Sequence, residues 1–294
     1  MLNYLIPSEN NTWRHMKNNL KDFAIFILTH GRPDNVITKK TLDSCGYTGS
    51  IYFIVDNKDD SIDKYIANFG KENVIVFDKK AMSKSIDNFD NFSNLKAIVH
   101  ARNACFDVAK KLGIKHFMQL DDDYYYFGYR DAEGAVKCKN IDSVICSMIE
   151  FLDATPTSTI AFSQGGDHIG GFSGVKLKRK AMNSFICSTD KPFNFIGTIN
   201  EDVNTYTTLG SRGCLFFTFT GFQLDQKDTQ SQKSGITDTY RLQGTYVKSF
   251  YTVMTMPSSV KVSMMNSRNT PRLHHTIKWN NTTPLIISEK YKKN

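Results

Sequence analysis

The chain has 294 residues, 40% of them hydrophobic and 22% charged, which fits one large globular α/β domain or two small ones with a shared core and argues against disorder away from the ends. The formal net charge of +8 is unevenly spread: residues 1–150 hold 20 Lys+Arg against 20 Asp+Glu, and residues 151–294 hold 17 against 9. The excess therefore sits in the second half, where it would draw in an anionic partner. The longest apolar run, residues 23–28, is far too short to cross a bilayer, and the first residues lack the pattern of a secretory signal. Six cysteines without C-x-x-C spacing read as reduced, mostly buried thiols. The expectation is a cytoplasmic protein with no membrane association.

Residues 23–28, 51–55, 73–77 and 116–120 are short, uniformly apolar runs and read as buried strands. Helical stretches between them predict a parallel sheet covered on both faces. A helix is predicted over about 96–112, with Ile98, Ala101, Cys105, Val108, Ala109 and Leu112 at helical spacing and Gly113 closing it. A second is predicted over about 141–153. The second half reads as less regular: a glycine-rich loop at 164–174, a helical stretch from Glu201-Asp202 to Gly210, and strands at 215–220 and 246–254. A basic tail follows Arg272-Leu-His-His-Thr-Ile-Lys-Trp279. No repeat or linker divides the chain.

Three of the expected strands end in residues suited to chemistry: Thr29-His30-Gly31-Arg32, Asp56 and Asp121-Asp122-Asp123. Ligands of open α/β sheets bind at such carboxyl ends. Three adjacent carboxylates repel one another unless a positive charge sits among them, and a hard divalent cation with oxygen ligands resolves that conflict. Asp121 and Asp123 would project the same way if the backbone stays extended. The plain alternative is a solvated acidic turn. An apolar strand before the run and the aromatic cluster Tyr124–Phe127 after it favour a walled substrate pocket, although such aromatics would equally fill a core.

His100-Ala-Arg-Asn103, a helix ending at Leu112-Gly113, a strand and then Leu120-Asp-Asp-Asp123 together resemble the stretch leading into the D-x-D motif of GT-A glycosyltransferases. Thr29-His30-Gly31-Arg32-Pro33 resembles their first-strand turn, often T-x-N-R, with His30-Gly31 in place of the usual residues. The order of these features carries the resemblance. More narrowly, the compact size and the R-L-H-H-x-I-x-W ending are similar to phage glycosyltransferases that act on hypermodified DNA bases, including the TET/JBP-associated group.

The resemblance implies a GT-A, Rossmann-like α/β fold: a mainly parallel sheet flanked by helices, with an irregular acceptor-binding half. Residues 1–294 would form one GT-A domain, with a nucleotide-sugar-binding half at 23–150 and an acceptor-binding half at 151–294. It implies a UDP-sugar donor carrying a glucose- or arabinose-type sugar, held by Thr29, His30, Arg32, Asp56, Arg102, Asp121 and Asp122. It implies Mn²⁺ or Mg²⁺ on Asp121, Asp123 and one of His274 or His275. Asp202, with Glu201 as runner-up, would be the general base of an inverting transfer. Gly165, Gly166, Asp167, His168, Lys178 and Arg179 would meet the acceptor, most simply 5-hydroxymethylcytosine in phage DNA in the host cytoplasm. Other basic residues, among them Lys176, Lys180, Lys227, Lys233, Arg241 and Lys248, would meet DNA phosphates. Three readings compete: a glycosyltransferase for polysaccharide, lipid or protein; a nucleotidyltransferase, which should carry a richer glycine loop after its first strand; and a non-enzymatic nucleic-acid-binding protein, which the acidic strand ends disfavour.

Overall fold

The computed structural model describes residues 20–89, 95, 97–131, 133–164, 167, 175–176, 183–226, 245–267, 270–284 and 288–291. In chain order the elements are β1 (Phe23–Leu28), α1 (Ile37–Ser44), β2 (Ser50–Asp56), α2 (Ile62–Phe69), β3 (Val74–Phe77), α3 (Lys79–Ser83), α4 (Val99–Lys111) and β4 (His116–Asp121). There follow β5 (Tyr124–Arg130), β6 (Ala135–Lys137), α5 (Ile141–Ala154), β7 (Thr157–Ser163), β8 (Val175–Lys176), β9 (Phe185–Ser188), α6 (Glu201–Ser211), β10 (Leu215–Gln226), α7 (Thr245–Thr255), β11 (Val260–Ser267) and β12 (Thr270–Ile277).

Ten strands make one sheet, ordered β3-β2-β1-β4-β9-β7-β10-β5-β6, with β8 on β10. The pairs β1–β2, β2–β3, β1–β4 and β7–β10 are parallel, whereas β9 runs against β4 and β7, and β5 runs against β10 and β6. The fold class is thus the expected one, a large and mostly parallel sheet with helices on both sides. Alternate residues of β1 show the layering. Phe23, Ile25 and Ile27 pack with Leu42 of α1, Tyr65 of α2 and the apolar side of α5. Ala24, Phe26 and Leu28 pack on the other face with Val99, Cys105 and Ala109 of α4 and Val203 and Tyr206 of α6. A strand buried on both faces has no polar side, so it reads as an unbroken apolar run.

The second half is more regular than its sequence suggested. Strands β9, β7 and β10, from beyond residue 150, lie in the sheet between β4 and β5, from before it. The two sequence halves therefore share one sheet. Residues 246–254, expected as a strand, form helix α7. Their aromatic and β-branched residues favour a strand intrinsically, but Ser249, Tyr251 and Thr252 are buried while Phe250 and Met254, one turn apart, are exposed. That spacing suits a helix lying on the β11–β12 hairpin, and tertiary packing overrides propensity. The aromatic cluster after the aspartates is strand β5 rather than a pocket wall: Tyr124 and Phe127 are fully buried in the core, and Tyr125 faces solvent. All six cysteines are free and buried. Among the described residues no helix is long and apolar enough to cross a membrane.

Candidate active site

The carboxyl ends of β2, β1 and β4 lie side by side, with Leu28 paired to both Ile54 and Asp121. Gly31 sits at φ +67° in the turn after β1, a conformation glycine adopts without strain. Its N–H donates to Asp59 Oδ2 at 2.7 Å, which folds the turn back onto the end of β2. Asp56, at the end of β2, is buried, and its Oδ2 accepts from Lys79 Nζ at 2.9 Å and lies 2.8 Å from His30 Nδ1. Burial opposes its charge, but the bonds from His30 and Lys79 outweigh burial and hold the carboxyl well below the usual range. The same hydrogen bond to Asp56 raises the pKa of His30. Oδ1 accepts from the Lys58 N–H at 3.0 Å. Both oxygens of Asp56 are thus engaged, although a carboxylate keeps further lone-pair directions for an incoming donor.

The three aspartates do not continue the strand. Asp121 is the last residue of β4, and Asp122 and Asp123 form the turn into β5, so the extended geometry that would align Asp121 with Asp123 is absent. The first turn of α1 shapes this turn. Thr38 N–H donates to the Asp122 carbonyl at 3.1 Å, and Thr38 Oγ1 donates to the Asp121 carbonyl at 2.6 Å while accepting from Tyr124 N–H at 2.9 Å. Each carboxylate then meets different partners. Asp122 accepts from Thr29 Oγ1 at 2.7 Å and from Arg32 Nη1 at 2.9 Å, which locks the β1 turn to the β4 turn. Asp121 accepts from Arg102 Nη2 at 3.0 Å. The Asp123 carboxyl is pushed up to about 7, first by burial and then by the negative charges of Asp121 and Asp122.

Arg102 connects this turn to the second acidic pair. Its side chain is 1% exposed, and its Nε donates to Glu201 Oε1 at 2.9 Å while Nη2 holds Asp121. Its guanidinium lies over the rings of Phe185 and Phe195 at 5.5 and 5.8 Å. The neighbouring Asn103 exchanges two hydrogen bonds with the backbone of Phe195, at 2.9 and 2.8 Å, fixing the segment that leads into α6. At the start of that helix Asn200 takes the left-handed conformation, φ 55°, and its Nδ2 donates to the Lys248 carbonyl and Thr252 Oγ1 of α7. Glu201 and Asp202 follow in the first turn, where the helix dipole favours acidic side chains. Burial pushes the Asp121 and Glu201 carboxyls up, and the charge of Asp202 pushes both further against the pull of Arg102. One buried guanidinium thus serves two carboxylates. Among the described residues Arg102 Nη1 has no hydrogen-bond partner.

The structure therefore joins Thr29, Arg32, Asp121, Asp122, Asp123, Arg102, Glu201 and, through its charge, Asp202. His30 and Asp56 form an adjoining cluster. Arg102 braces carboxylates from within the core. Asp167 is buried, its Oδ2 accepts from Gln164 N–H at 2.9 Å, and its charge reaches Tyr206 on α6. Gly165, Gly166, His168, Lys178, Arg179, Lys180, Lys227, Lys233 and Arg241, and the side chain of Lys176, lie outside the described residues. His274 and His275 stand on β12 in the separate hairpin, their rings 4.4 Å apart. Among the described residues no three His, Cys, Asp or Glu side chains are grouped to hold an ion. Sequence reasoning passed over Thr38, Lys79 and Asn103. Only Asn103, inside the His100–Asn103 block, carried any signal.

The model of the family described as TET-associated glycosyltransferase matches residues 23–235. Comparison with curated proteins gives no match. Among solved structures, glucosyl-3-phosphoglycerate synthase from Mycobacterium tuberculosis, crystallised with Mn²⁺ and UDP-glucose, is 8% identical over 92% of this chain and 93% of that one, with a TM-score of 0.46. TarS 1–349 of S. aureus, with UDP-GlcNAc, is 11% identical over 78% of this chain and 66% of that one, with a TM-score of 0.41. At this level the two structures add nothing to the assignment. The family match covers most of the chain, including the aspartate turn, Arg102 and the Glu201-Asp202 pair, and on it the chain belongs to the TET-associated glycosyltransferases.

Proposed function

We propose that this glycosyltransferase moves a glucose- or arabinose-type sugar from a UDP-sugar to 5-hydroxymethylcytosine in DNA, inverting the anomeric carbon. The observation that carries the reading is the convergence of the aspartate turn and the Glu201-Asp202 pair on Arg102. The donor set suits a hard divalent cation. Of the five carboxylates, Asp122 pairs with Arg32 while Asp121 and Glu201 share Arg102, and a dense set of oxygen donors favours Mg²⁺ or Mn²⁺. Asp121 and Asp123 would hold it, with His274 or His275 as the further ligand implied by the family resemblance. When bound, such an ion supplies Lewis-acid stabilisation of the departing diphosphate.

Asp202 is the proposed general base, taking the proton of the acceptor hydroxyl as that oxygen attacks the sugar. Glu201, pinned by Arg102, is a positioning residue. Thr29, His30 and Asp56, at the ends of β1 and β2, suit the nucleoside part of the donor, and Arg32 suits the phosphates. Asp167, with Gly165, Gly166, His168, Lys178 and Arg179, is assigned to the acceptor side. The proposed setting is the cytoplasm.

The test is transfer of labelled sugar from a panel of UDP-sugars, with Mn²⁺, onto DNA with and without 5-hydroxymethylcytosine. Incorporation into modified DNA alone, lost in Asp123→Ala, supports the whole reading. Metal-dependent hydrolysis of one UDP-sugar without incorporation moves the acceptor to polysaccharide, lipid or protein. Release of sugar 1-phosphate instead of UDP indicates nucleotidyl transfer. The same assay on His274→Ala and His275→Ala, over a range of Mn²⁺ concentrations, tests the histidines.

A further inference from the structure

Between Asp238 and Glu289 the sequence contains no Asp or Glu, yet it carries Arg241, Lys248, Lys261, Arg268, Arg272 and Lys278. The described part of this acid-free stretch folds as one unit, helix α7 on the β11–β12 hairpin, and Ser249 Oγ donates to the Leu273 carbonyl between them at 2.9 Å. Directly opposed residues of an antiparallel pair share a face. On one face Val260 and His275 are buried. On the other, Lys261 lies opposite Thr276 and Ser263 opposite His274, and Lys261 and Thr276 are exposed. Lys278, just past β12, is exposed as well. Large apolar side chains face solvent elsewhere: Phe250 and Met254 on α7, at 48% and 66%, and Met264 and Leu273, at 62% and 40%, on the Val260–His275 face of the hairpin. The unit abuts the catalytic helix, because Asn200, the residue before Glu201, is bonded to Lys248 and Thr252 of α7.

We infer that the Lys261–Thr276 face of the β11–β12 hairpin, with Lys278, forms the docking surface for the nucleic-acid acceptor. This rests on the proposed DNA-directed activity and assigns that activity its surface. An exposed basic face on an acid-free stretch complements a phosphate backbone.

The experiment is fluorescence anisotropy of a labelled duplex containing 5-hydroxymethylcytosine, titrated with the full-length protein across a salt series. The double variant Lys261→Glu with Lys278→Glu is compared with wild type and with Lys110→Glu plus Lys111→Glu, an equal charge change at exposed positions on α4. Thermal unfolding confirms that each variant folds. The expected result is at least about tenfold weaker binding for the hairpin variant alone, with its log–log salt slope reduced by about 2, near 0.9 for each phosphate that a lysine no longer neutralises. Equal binding by wild type and the hairpin variant, or equal weakening in both variants, overturns the assignment and leaves a DNA acceptor standing. No DNA binding by a wild type that still hydrolyses its UDP-sugar removes the DNA acceptor and this surface together. So does binding to phosphatidylserine vesicles in place of DNA.

Discussion

Arg102 is a buried cation whose two carboxylate partners come from distant parts of the sequence. Removing it leaves Asp121 and Glu201 in the core with no guanidinium between them. Breaking a buried pair in this way costs about 3–5 kcal/mol, so Arg102→Ala should unfold at markedly lower denaturant. Arg102→Lys should recover little, because an ammonium cannot reach two carboxylates as a planar fork does. A denaturation midpoint unchanged in both variants would show that the network contributes nothing. Asp202 makes the contrasting case. As a general base its replacement by Asn should lower kcat by about 10²–10⁴-fold while leaving the melting temperature near wild type. Wild-type kcat in Asp202→Asn, or a product with retained configuration, would sink the assigned role.

His30 adds a pH-dependent test. Its folded pKa is raised by Asp56 above the ordinary histidine value of 6.5, so its contribution to stability is full below about 6.5 and disappears as pH rises through the folded value. The difference in melting temperature between wild type and His30→Asn should therefore be larger at pH 6 than at pH 8. A difference that grows with pH would show that the neutral ring, rather than the imidazolium, is the partner of Asp56.

At the scale of elements, helix α6 is the part on which the site depends. It is anchored at one end by Asn200 and at the other by Gly210, where a Cβ would run into the Thr282 carbonyl oxygen. Backbone cannot retreat as a flexible side chain does, so Gly210→Ala should cost about 1–3 kcal/mol through overpacking. It should also lower activity by tilting Glu201 and Asp202 away from Asp121. Equilibrium unfolding and kcat measured on this variant test both effects, and unchanged values in both would show that the helix has room to spare. The same helix shows how the site was partly legible. The Glu201-Asp202 pair was marked by its resemblance to a motif, but its approach to Asp121 depends on Arg102 and on the Asn103–Phe195 clasp, which no local pattern announces. Residues 246–254 show the opposite failure. Their composition favours a strand, and only the hairpin beneath them makes a helix the better burial.

For the molecule as a whole, the order of strands matters more than their identity. Because β9, β7 and β10 lie between β4 and β5, the two halves of the sequence complete a single sheet. Neither can give up its strands without exposing the other. Calorimetry should show one cooperative transition with equal calorimetric and van't Hoff enthalpies; two resolved transitions would mean that the halves unfold separately. The sequence by itself determined the α/β class, strands β1 to β4, helices α4 and α5, and the placing of Asp56 and the aspartate run at strand ends. Each of these follows from short-range patterning, since strands buried on both faces are uniformly apolar and helices repeat at their own period. Only the tertiary structure decided that Asp122 turns back to Thr29 and Arg32, that Arg102 braces acids instead of facing solvent, and that the two histidines belong to a different sheet from Asp121 and Asp123. Those outcomes depend on which distant segments share a buried charge, and a buried charge is settled by its partners in space rather than by its neighbours in sequence.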